Sequence, residues 1–404
     1  MKSKTVIFAN ITYKPFYGGI ENSFYYMSQS AVKKGYSAVI FVSDSSGNKN
    51  RRLKKRDKEG QVEIIRFRRI RAWGPFVPFV YLFSSYIGFL SLKKQYTVNT
   101  LLIIRSHFLT YAAYLAGFKN IVYLVPSMVK GLDDRSDNKV VGFVAKLNNI
   151  VLKANVCMLS WLQNKAVEKC TRCCVFSANM KRQISNIVDG KNISIVKPGV
   201  ETDVFRFDKQ IRKARKKEYG ISNFVFLCIG RIIEAKGFED VIRAYEILPE
   251  LVKSNSKILI VGDGPDKERL ITIVKQRKLE QGVTFLTSTD NPSEIYNLSD
   301  CFMMTSRYEA FGQTILEAMA SGLPVVGYKS DGNEIVTATE EIVKDGENGL
   351  LCNFDVVELS KSMEAIYNSS ADELEKYAMN NVCKVNSDFS WNQLIDNLLL
   401  NEND

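Results

Sequence analysis

Several patterns are missing from the sequence, and each absence excludes a class of protein. No zinc-finger spacing and no aromatic nucleic-acid motif accompany the 55 Lys and Arg residues, so nucleic acid is not an expected partner. The eight cysteines form no framework of spaced pairs. The C-x-x-C of residues 170–173 has no second pair and no His nearby, which favours reduced thiols over disulfides or a zinc site. No internal repeat and no low-complexity tract occurs.

Long uncharged apolar runs are also scarce. Residues 66–96 come closest, with an apolar centre that includes Trp73 between two basic flanks, but Pro75 and Pro78 leave little clean length for a membrane-spanning helix. The segment is either a buried helix of the first domain or an interfacial segment on an anionic membrane, and a true span is the least supported alternative. The opening "MKSKTVIFAN" has no cleavage site and predicts a first strand, not a signal peptide.

The charge is divided unevenly along the chain. Residues 1–200 contain 32 Lys and Arg against 10 Asp and Glu, a net charge of +22, and residues 201–404 contain 23 against 34, a net charge of −11; together they give +11. A chain of 404 residues with 46% hydrophobic and 25% charged residues is globular and long enough for two domains. The basic half predicts an anionic partner or surface.

Short apolar runs alternate with helical stretches in two successive series. This pattern is typical of parallel sheets covered on both faces, so we predict an α/β fold with two doubly wound Rossmann-like domains. We place the first domain at 1–205 and the second at 206–386, with the linker near 200–212. The predicted strands are 5–10, 37–44, 63–68, 100–106, 120–126, 173–177 and 193–199 in the first series, and 223–232, 257–264, 283–288, 301–306 and 323–329 in the second.

Several polar residues fall where these strands end. Gly18 and Gly19 follow the first strand, and His107, the only histidine, follows "TLLIIRS". Arg231 and Lys236 share one strand-to-helix loop, where two cations could flank a diphosphate without a metal ion. An ordinary tight loop, a structural histidine and a solvated basic pair are the alternative interpretations. No Asp-x-Asp motif occurs, which argues against a metal-bridged nucleotide sugar.

The stretch "SRYEAFGQTILEAMASGLPVV" (306–326) carries two acids beside an apolar helix pattern. Gly312 precedes the helix, Gly322 occupies the position of a left-handed C-terminal cap, and Pro324 prevents continuation. Glu309 therefore lies before a helix N-terminus and Glu317 within the helix. A helix N-terminus suits an anion, and carboxylates near it suit hydroxyl groups, so a sugar and a phosphate together would fit. A capped helix with a solvent-facing glutamate is the alternative.

Taken together, these motifs resemble glycosyltransferase family 4. "GGIE" is followed by "SANMK", "IVKPGVETDVF", "GRIIEAKG", "VGDGP" and a Glu-x7-Glu run from Glu309 to Glu317, in the order and at the spacing of that family from residue 5 to the C-terminus. The resemblance implies the GT-B fold, with two Rossmann-like domains facing each other across a cleft. It also implies that "SDFSWNQLIDNLLL" (387–400) crosses back, so that 387–404 joins the first domain.

The resemblance also implies roles for individual residues. Glu309 would contact hydroxyls of the transferred sugar, and Glu317 the ribose hydroxyls. His107 would lie near the reacting face of the sugar, and Arg231 and Lys236 would neutralise the leaving group; with Glu309, these three are the expected catalytic residues. The other expected donor-binding residues are Gly18, Gly19, Gly230, Gly262, Phe311, Gly312, Gln313 and Thr314.

The sequence departs from the family pattern in two places. Glu-Ile-Val occurs twice, at Glu334 and Glu341, so the residues do not show which one corresponds to the family glutamate. Arg105 and Ser106 replace the small or acidic residues that are common before the family histidine.

The function implied by the resemblance is retaining, hexosyltransferase-type transfer from a UDP- or GDP-linked sugar, without a metal ion. The expected acceptor is a lipid-linked or cell-envelope glycan, as in polysaccharide, lipopolysaccharide or glycolipid biosynthesis. The expected location is the cytoplasm, peripherally on the cytoplasmic face of an anionic membrane. Two alternatives remain: a sugar-nucleotide epimerase of related fold, and an inactive sugar-binding relative.

Overall fold

The computed structural model describes residues 4–16, 18–46, 52–70, 77–129, 143–289 and 291–400, of which 143–154 are described by their backbone alone. Trp73 and Pro75 of the apolar segment lie outside these ranges. The chain divides into two compact units, one of residues 1–199 with 391–404 and one of residues 200–390. The second unit thus begins at Val200 and the chain returns to the first at Trp391, whereas the sequence prediction places these boundaries at 206 and 387.

The first unit is built on a sheet whose described strands run in the order β3-β4-β2-β1-β5-β6-β7-β8. Neighbouring strands are parallel except for the β3–β4 hairpin. Central β1 is fully buried from Val6 to Ala9, as expected for a strand covered on both faces. The strands are β1 (Thr5–Ala9), β2 (Ser37–Ser43), β3 (Arg56–Glu59), β4 (Val62–Phe67), β5 (Leu101–Ile104), β6 (Ile121–Leu124), β7 (Arg172–Val175) and β8 (Ile193–Ile195).

All seven strands predicted for this unit are present, and β3 was missed. Its sequence, Arg-Asp-Lys-Glu, is exposed at the sheet edge and pairs with one neighbour, so it has no apolar residues to reveal it. The helices are α1 (Gly19–Lys33), α2 (Val77–Lys93), α3 (His107–Leu115), α4 (Phe143–Lys169), α5 (Ala178–Ser185) and, returning from the second unit, α15 (Trp391–Leu399). Helix α15 packs on α1, while α2, α3 and α4 pack in succession on one another.

The second unit has a parallel sheet in the order β11-β10-β9-β12-β13-β14. The predicted strands are present as β9 (Phe224–Ile229), β10 (Ser256–Val261), β11 (Val283–Leu286), β12 (Cys301–Met304) and β13 (Val325–Tyr328); β14 (Gly349–Cys352), whose apolar run is only a few residues long, was missed. The helices are α6 (Lys209–Glu218), α7 (Phe238–Glu246), α8 (Glu250–Asn255), α9 (Lys267–Gln276), α10 (Pro292–Asn297), α11 (Gln313–Ala320), α12 (Thr339–Ile342), α13 (Val356–Tyr367) and α14 (Ala371–Asp388).

The local prediction for residues 306–326 is confirmed. Helix α11 begins directly after Gly312, Gly322 has a left-handed φ of 72°, and β13 starts one residue after Pro324. A side chain at residue 322 would also collide with Phe207, since a Cβ built there lies 2.5 Å from that ring. Gly322 is therefore required both by the turn and by its neighbour.

Helix α2 has a buried side, as expected for a helix of the first domain, and an exposed apolar side; the interfacial interpretation stays a prediction. Pro78 lies in its first turn, where a missing N–H is tolerated, so it does not break the helix. One side is buried against β4, with Gly88 so close that a Cβ built on it would lie 2.7 Å from Phe67. Phe79, Phe83, Ile87 and Leu90 are exposed. In the described part of the chain, no helix combines the length and apolar character needed to cross a membrane.

Candidate active site

In each sheet the order of the strands reverses once, and the predicted site residues lie at these reversals. The chain of the second unit builds outward from β9 to β10 and β11, then returns to β12 on the other side of β9. In the first unit the same reversal lies between β1 and β5. Open α/β sheets bind ligands at the carboxyl ends of their strands at such a reversal. Lys236 follows β9, Glu309 follows β12, and His107 follows β5.

Gly230 is favoured by its backbone conformation, and Gly262 both by its conformation and by the close contact between the loops after β9 and β10. Both have a φ of 146°, which side chains rarely adopt, and a Cβ built on Gly262 would lie 1.9 Å from the carbonyl oxygen of Gly230. The amide of Gly230 also donates to the carbonyl of Val261 at 3.0 Å. These two predicted donor-binding glycines therefore fix the shape of the loop that carries Arg231 and Lys236.

A third glycine holds the end of that loop against β12. The 3₁₀ turn Glu234–Lys236 ends at Gly237, which has a φ of 66° and lies so close to Thr305 that a Cβ would be 2.2 Å from its carbonyl oxygen. The hydroxyl of Thr305 donates to the carbonyl of Lys236 at 3.1 Å. Lys236 is therefore positioned by the strand that leads to Glu309.

Lys236 and Glu309 form an ion pair. The Lys236 Nζ donates to Oε2 of Glu309, and the two side chains are 22% and 23% exposed. Seventy-three positions separate them in sequence, yet the two neighbouring strands bring them together. Each of these two predicted catalytic side chains is thus bound to the other, and both remain partly exposed.

Arg231 is not part of this pair. Its side chain is exposed and has no hydrogen bond or ion pair within the described residues. The structure places it on the same loop as Lys236 but does not bring it to Glu309. A role for Arg231 on a phosphate group stays a prediction.

The segment after β13 lies beside Glu309. The amide of Glu309 donates to the carbonyl of Val336 at 3.1 Å, and the amide of Val336 donates to the carbonyl of Arg307 at 2.7 Å. The first Glu-Ile-Val, at Glu334, therefore runs next to the candidate site. Glu341 of the second lies in the short helix α12, and both glutamates are exposed.

The N-terminus of α11 starts at Gly312, whose φ is 102°. No side chain caps this end of the helix, and its first two residues, Gln313 and Thr314, are partly exposed. The Phe311 side chain is buried and meets the Phe389 ring edge-on at 5.9 Å, so only its backbone could reach a ligand. The positive end of the helix is suited to an anion.

Glu317 is bound to a tyrosine that sequence reasoning missed. The hydroxyl of Tyr296 donates to Glu317 Oε2 at 2.9 Å, and Tyr296 itself is fully buried. Burial raises the pKa of Glu317 to about 7, against the opposing effect of the Tyr296 hydrogen bond. Nothing in "SEIYNLSD" distinguishes Tyr296 from a core aromatic residue, because its partner comes from a different helix.

In the first unit, Gly18 and Gly19 begin α1. Gly18 has an extended φ of −176°, so its lack of a side chain is not required by the backbone. A Cβ there would lie 2.7 Å from Oε2 of Glu21, whose other oxygen accepts a hydrogen bond from the Thr12 hydroxyl at 2.6 Å. Glu21, the acid of "GGIE", thus faces the glycine turn and is a further candidate that the sequence did not single out.

His107 is the first residue of α3. Its Nε2 is buried and has no hydrogen-bond partner within the described residues, and its ring lies 4.5 Å from that of Phe108. Burial lowers the pKa of His107 to about 4, so the imidazole is neutral at physiological pH. It can donate or accept a hydrogen bond but does not contribute positive charge. Within the described residues, no group of three or more His, Cys, Asp or Glu could hold a metal ion.

Comparison with known sequences shows what the second unit is similar to. Residues 209–384 match the family model for glycosyl transferases group 1. N-acetyl-alpha-D-glucosaminyl L-malate synthase of Bacillus anthracis is 32% identical over 179 residues, which cover 42% of this chain and 45% of that enzyme. Alpha-monoglucosyldiacylglycerol synthase of Acholeplasma laidlawii is 27% identical over 202 residues, 48% of either chain. The aligned regions thus span less than half the length of these relatives.

Comparison with solved structures covers the whole chain. Sucrose-phosphate synthase from Thermosynechococcus elongatus matches with a TM-score of 0.78 at 15% identity, over 98% of this chain and 97% of that one. HepE of Anabaena, solved in complex with UDP-glucose, matches with a TM-score of 0.72 at 15% identity, over 98% of each chain. This likeness shows the GT-B fold of glycosyltransferases, as the motifs implied. In sequence, the match to glycosyl transferases group 1 covers residues 209–384, which is less than half of the chain.

Proposed function

We propose that the protein is a retaining glycosyltransferase that moves a hexose from a nucleoside diphosphate sugar to a lipid-linked or cell-envelope glycan, without a metal ion. The observation that carries this proposal is the Lys236–Glu309 ion pair at the strand reversal of the second unit. A cation and a carboxylate side by side suit a donor that presents a diphosphate beside sugar hydroxyls.

Binding would exchange the partners of this ion pair. A phosphate oxygen would replace Glu309 as the partner of Lys236, and a sugar hydroxyl would replace Lys236 as the partner of Glu309. The pair is balanced before binding and each group gains a new partner after it, so neither group is left without a hydrogen-bond partner in the site. Arg231 and the N-terminus of α11 would add positive charge around the diphosphate.

Glu317 would hold the ribose. Tyr296 occupies one of its carboxylate oxygens, so the hydroxyls of a ribose would donate to the other. Only the ionised carboxyl accepts from both hydroxyls, and its raised pKa makes this contact depend on pH near 7. The HepE structure, which contains UDP-glucose, supports a nucleotide sugar as the donor class.

In the proposed reaction, the acceptor hydroxyl attacks from the face that the diphosphate leaves. The bond between the sugar carbon and the diphosphate oxygen breaks, the bond to the acceptor oxygen forms, and the leaving phosphate takes the acceptor's proton. No protein base is required. Lys236 would stabilise the charge that develops on the leaving group, and the neutral His107 would offer a hydrogen bond near the reacting sugar.

A thermal-shift panel tests the donor site. The protein is heated with UDP, GDP and ADP and with their sugar conjugates, without added metal ions. A ligand at about 100 times its Kd stabilises the folded protein by roughly 2.7 kcal/mol. We expect one base to give a shift that Glu317→Gln abolishes and that the control Glu280→Gln, an exposed glutamate of the same unit, retains.

Other outcomes would change the assignment. Consumption of the donor without transfer to any acceptor would favour an epimerase of related fold. Binding without turnover would favour an inactive sugar-binding relative. A shift that is equal in Glu317→Gln and the wild type would remove Glu317 from the donor site.

We also propose that the protein acts peripherally at an anionic membrane, on the cytoplasmic face, where a lipid-linked acceptor would lie. The net charge of +22 in residues 1–200 supports this location. The name of the Acholeplasma relative, a monoglucosyldiacylglycerol synthase, supports a lipid-linked acceptor.

One surface of the first unit has the character that such binding requires. We call it the apolar helix surface: Phe79, Phe83, Ile87 and Leu90, spaced four, four and three residues apart on α2 and therefore on one side of it. Tyr114 and Leu115 of α3 and Trp161 of α4 are exposed on the helices packed next to α2. Lys169 lies 5.6 Å above the Tyr114 ring, which combines a cation with the aromatic group typical of interfaces.

Sedimentation with vesicles tests the membrane proposal. We expect binding to phosphatidylglycerol vesicles and not to phosphatidylcholine vesicles, reversed by salt. The double variant Phe79→Ser, Phe83→Ser should lose binding, whereas Leu251→Ser, which changes a 74% exposed leucine of the second unit, should keep it. Equal binding by both variants would remove the apolar helix surface from the proposal.

A further inference from the structure

Arg105 is a buried arginine that forms no ion pair with any acidic residue in the described part of the chain. It follows β5 directly and is 7% exposed. Its Nη1 donates to the Ser23 hydroxyl at 2.6 Å, its guanidinium lies 5.0 Å from the Phe176 ring centre, and its Nε has no hydrogen-bond partner within the described residues. No carboxylate of the described residues lies within 4.0 Å of it. Burial lowers the pKa of Arg105 to about 10, so the group stays charged at neutral pH.

A second buried arginine of the same unit, Arg66, has the contacts expected of a structural residue and can be compared with Arg105. Arg66 is 6% exposed, similar to Arg105, and its Nε also has no hydrogen-bond partner within the described residues. The two arginines differ in their acidic partner, because the Arg66 Nη1 donates to the Lys54 carbonyl at 3.1 Å and lies 3.6 Å from Oδ2 of Asp57. Glu21 is the acid whose charge acts on Arg105, but it hydrogen-bonds the Thr12 hydroxyl instead. A charge buried without a counter-charge is unfavourable, so a site of this kind favours an anionic ligand.

The next two residues also have buried polar atoms without partners. These atoms are the Ser106 hydroxyl, in a side chain that is 5% exposed, and the Nε2 of His107. All three residues lie at the carboxyl end of β5, next to the end of β1, where the strand order of this sheet reverses. The amide of Arg105 donates to the carbonyl of Ala9 at 3.1 Å, which fixes it beside the end of β1. Such a position is where an open sheet binds ligands.

We propose that Arg105 binds a phosphate group of a substrate. The planar guanidinium can present two N–H groups to two phosphate oxygens, a match that a lysine would not provide. The proposal rests on the proposed function, because that reaction offers two sources of phosphate: the diphosphate of the donor, or the phosphate of a lipid-linked acceptor. Arg105 is then a substrate-binding residue of the first unit, and its role is not limited to a structural contact between α1 and the end of β5.

Inorganic phosphate is the first probe. Its binding to the full chain is measured by thermal shift, with sodium chloride at equal ionic strength as reference. We expect a shift in the wild type, and affinity roughly 10- to 100-fold weaker in Arg105→Gln, the range for a lost hydrogen bond to a charged group. Arg105→Lys should be intermediate. The control Arg182→Gln, an exposed arginine of α5, should match the wild type.

Two further arms distinguish the sources of phosphate. If Arg105→Gln weakens binding of a nucleoside diphosphate but not of the nucleoside, Arg105 binds the donor. If Arg105→Gln leaves the affinity for the nucleoside diphosphate and for the nucleoside unchanged, but raises the KM for a phosphorylated acceptor and not the KM for a neutral acceptor, Arg105 binds the acceptor. Either result supports the phosphate site.

The proposal is overturned if phosphate gives no shift in the wild type, or an equal shift in Arg105→Gln. If Arg105→Gln does not fold, Arg105→Lys gives the same test, because it keeps the positive charge and removes the planar pair of guanidinium N–H donors. Failure here is distinct from failure of the proposed function, since the nucleotide panel depends on Glu317 of the second unit and can succeed while the phosphate test fails.

Discussion

The two units place polar residues at equivalent positions of their sheets, but only the second pairs them with each other. At the reversal beside β9, Lys236 is bound to Glu309, and Glu317 of the nearby α11 is bound to Tyr296. At the reversal beside β1, Arg105 and His107 keep buried nitrogen atoms without partners in the described chain. The comparison indicates that Lys236 and Glu309 are balanced groups that a ligand would separate, whereas Arg105 and His107 have unsatisfied nitrogen atoms that a ligand would complete.

The largest effect on activity is expected when the Lys236–Glu309 ion pair of the second unit is broken. Lys236→Ala should lower kcat/KM by at least about 100-fold, because loss of one well-placed charge at a developing anion costs roughly 2.7–4 kcal/mol. The measurement is steady-state transfer with the donor found in the nucleotide panel.

Lys216→Ala is the matched control for this variant. Lys216 and Asp300 form an ion pair of similar burial, with side chains 18% and 19% exposed, in the same unit. Its loss should lower the free energy of unfolding and leave kcat/KM nearly unchanged. Wild-type turnover in Lys236→Ala would remove the ion pair from the proposed chemistry.

The second prediction compares the glycines of the two units. Gly262→Ala should lower the free energy of unfolding by roughly 1–3 kcal/mol or more, because its φ is unfavourable for alanine and the new Cβ meets a rigid carbonyl. Gly18→Ala should cost less than about 1 kcal/mol, since its φ is extended and the clash is with the end of the flexible Glu21 side chain. Urea unfolding of both variants gives the values, and equal losses would contradict the distinction.

The third prediction concerns pH and the pair Glu317–Tyr296. If the ionised Glu317 binds ribose hydroxyls, nucleotide affinity should fall about tenfold for each pH unit below about 7. Tyr296→Phe removes the hydrogen bond that lowers this pKa, so the midpoint should move to higher pH. Isothermal titration between pH 5 and 8 measures both, and a flat profile for the wild type would contradict the role of Glu317.

The same carboxyl has the opposite effect on stability. Because its pKa in the folded protein lies above the ordinary value of 4.5, protonation favours the folded state. Its contribution to the free energy of unfolding is therefore complete below pH 4.5 and is lost as the pH rises through about 7. Glu317→Gln, a neutral isostere of the protonated carboxyl, should therefore match the wild type at low pH and become increasingly more stable than the wild type as the pH rises through about 7.

The smallest expected effect is on the surface of the first unit. Phe83→Ser should change the free energy of unfolding by less than about 0.5 kcal/mol, because the ring is 55% exposed. Any effect on vesicle binding would then reflect the surface and not the fold. A large loss of stability would instead show that Phe83 contributes to the core of its unit.

The sequence was sufficient for most of the fold. Every predicted strand is present, because each is an apolar run that must be buried on both faces. The two missed strands, β3 and β14, are an exposed charged hairpin strand and a very short run, and neither carries that signal. Periodicity alone left open whether the α2 segment was buried or interfacial, since both kinds of helix show an apolar side.

The candidate site could be predicted only in part. Glu309, Lys236 and Glu317 were found from their places in motifs, but nothing in those motifs shows that Lys236 and Glu309 touch. Tyr296 was missed because its hydroxyl meets Glu317 from another helix. Arg105 was noted only as a departure from a family pattern, and its lack of an acidic partner became visible through its burial.

By itself, the sequence determined what depends on neighbouring residues: the apolar strands, the turn at Gly322 before Pro324, and the order of the motifs. Tertiary structure decided which charges are paired, which glycines are forced by close backbone contact, and how far burial raises the pKa of Glu317. The physical reason is that these properties depend on distance and on exclusion of water, and both are set by strands and helices that are remote in the chain.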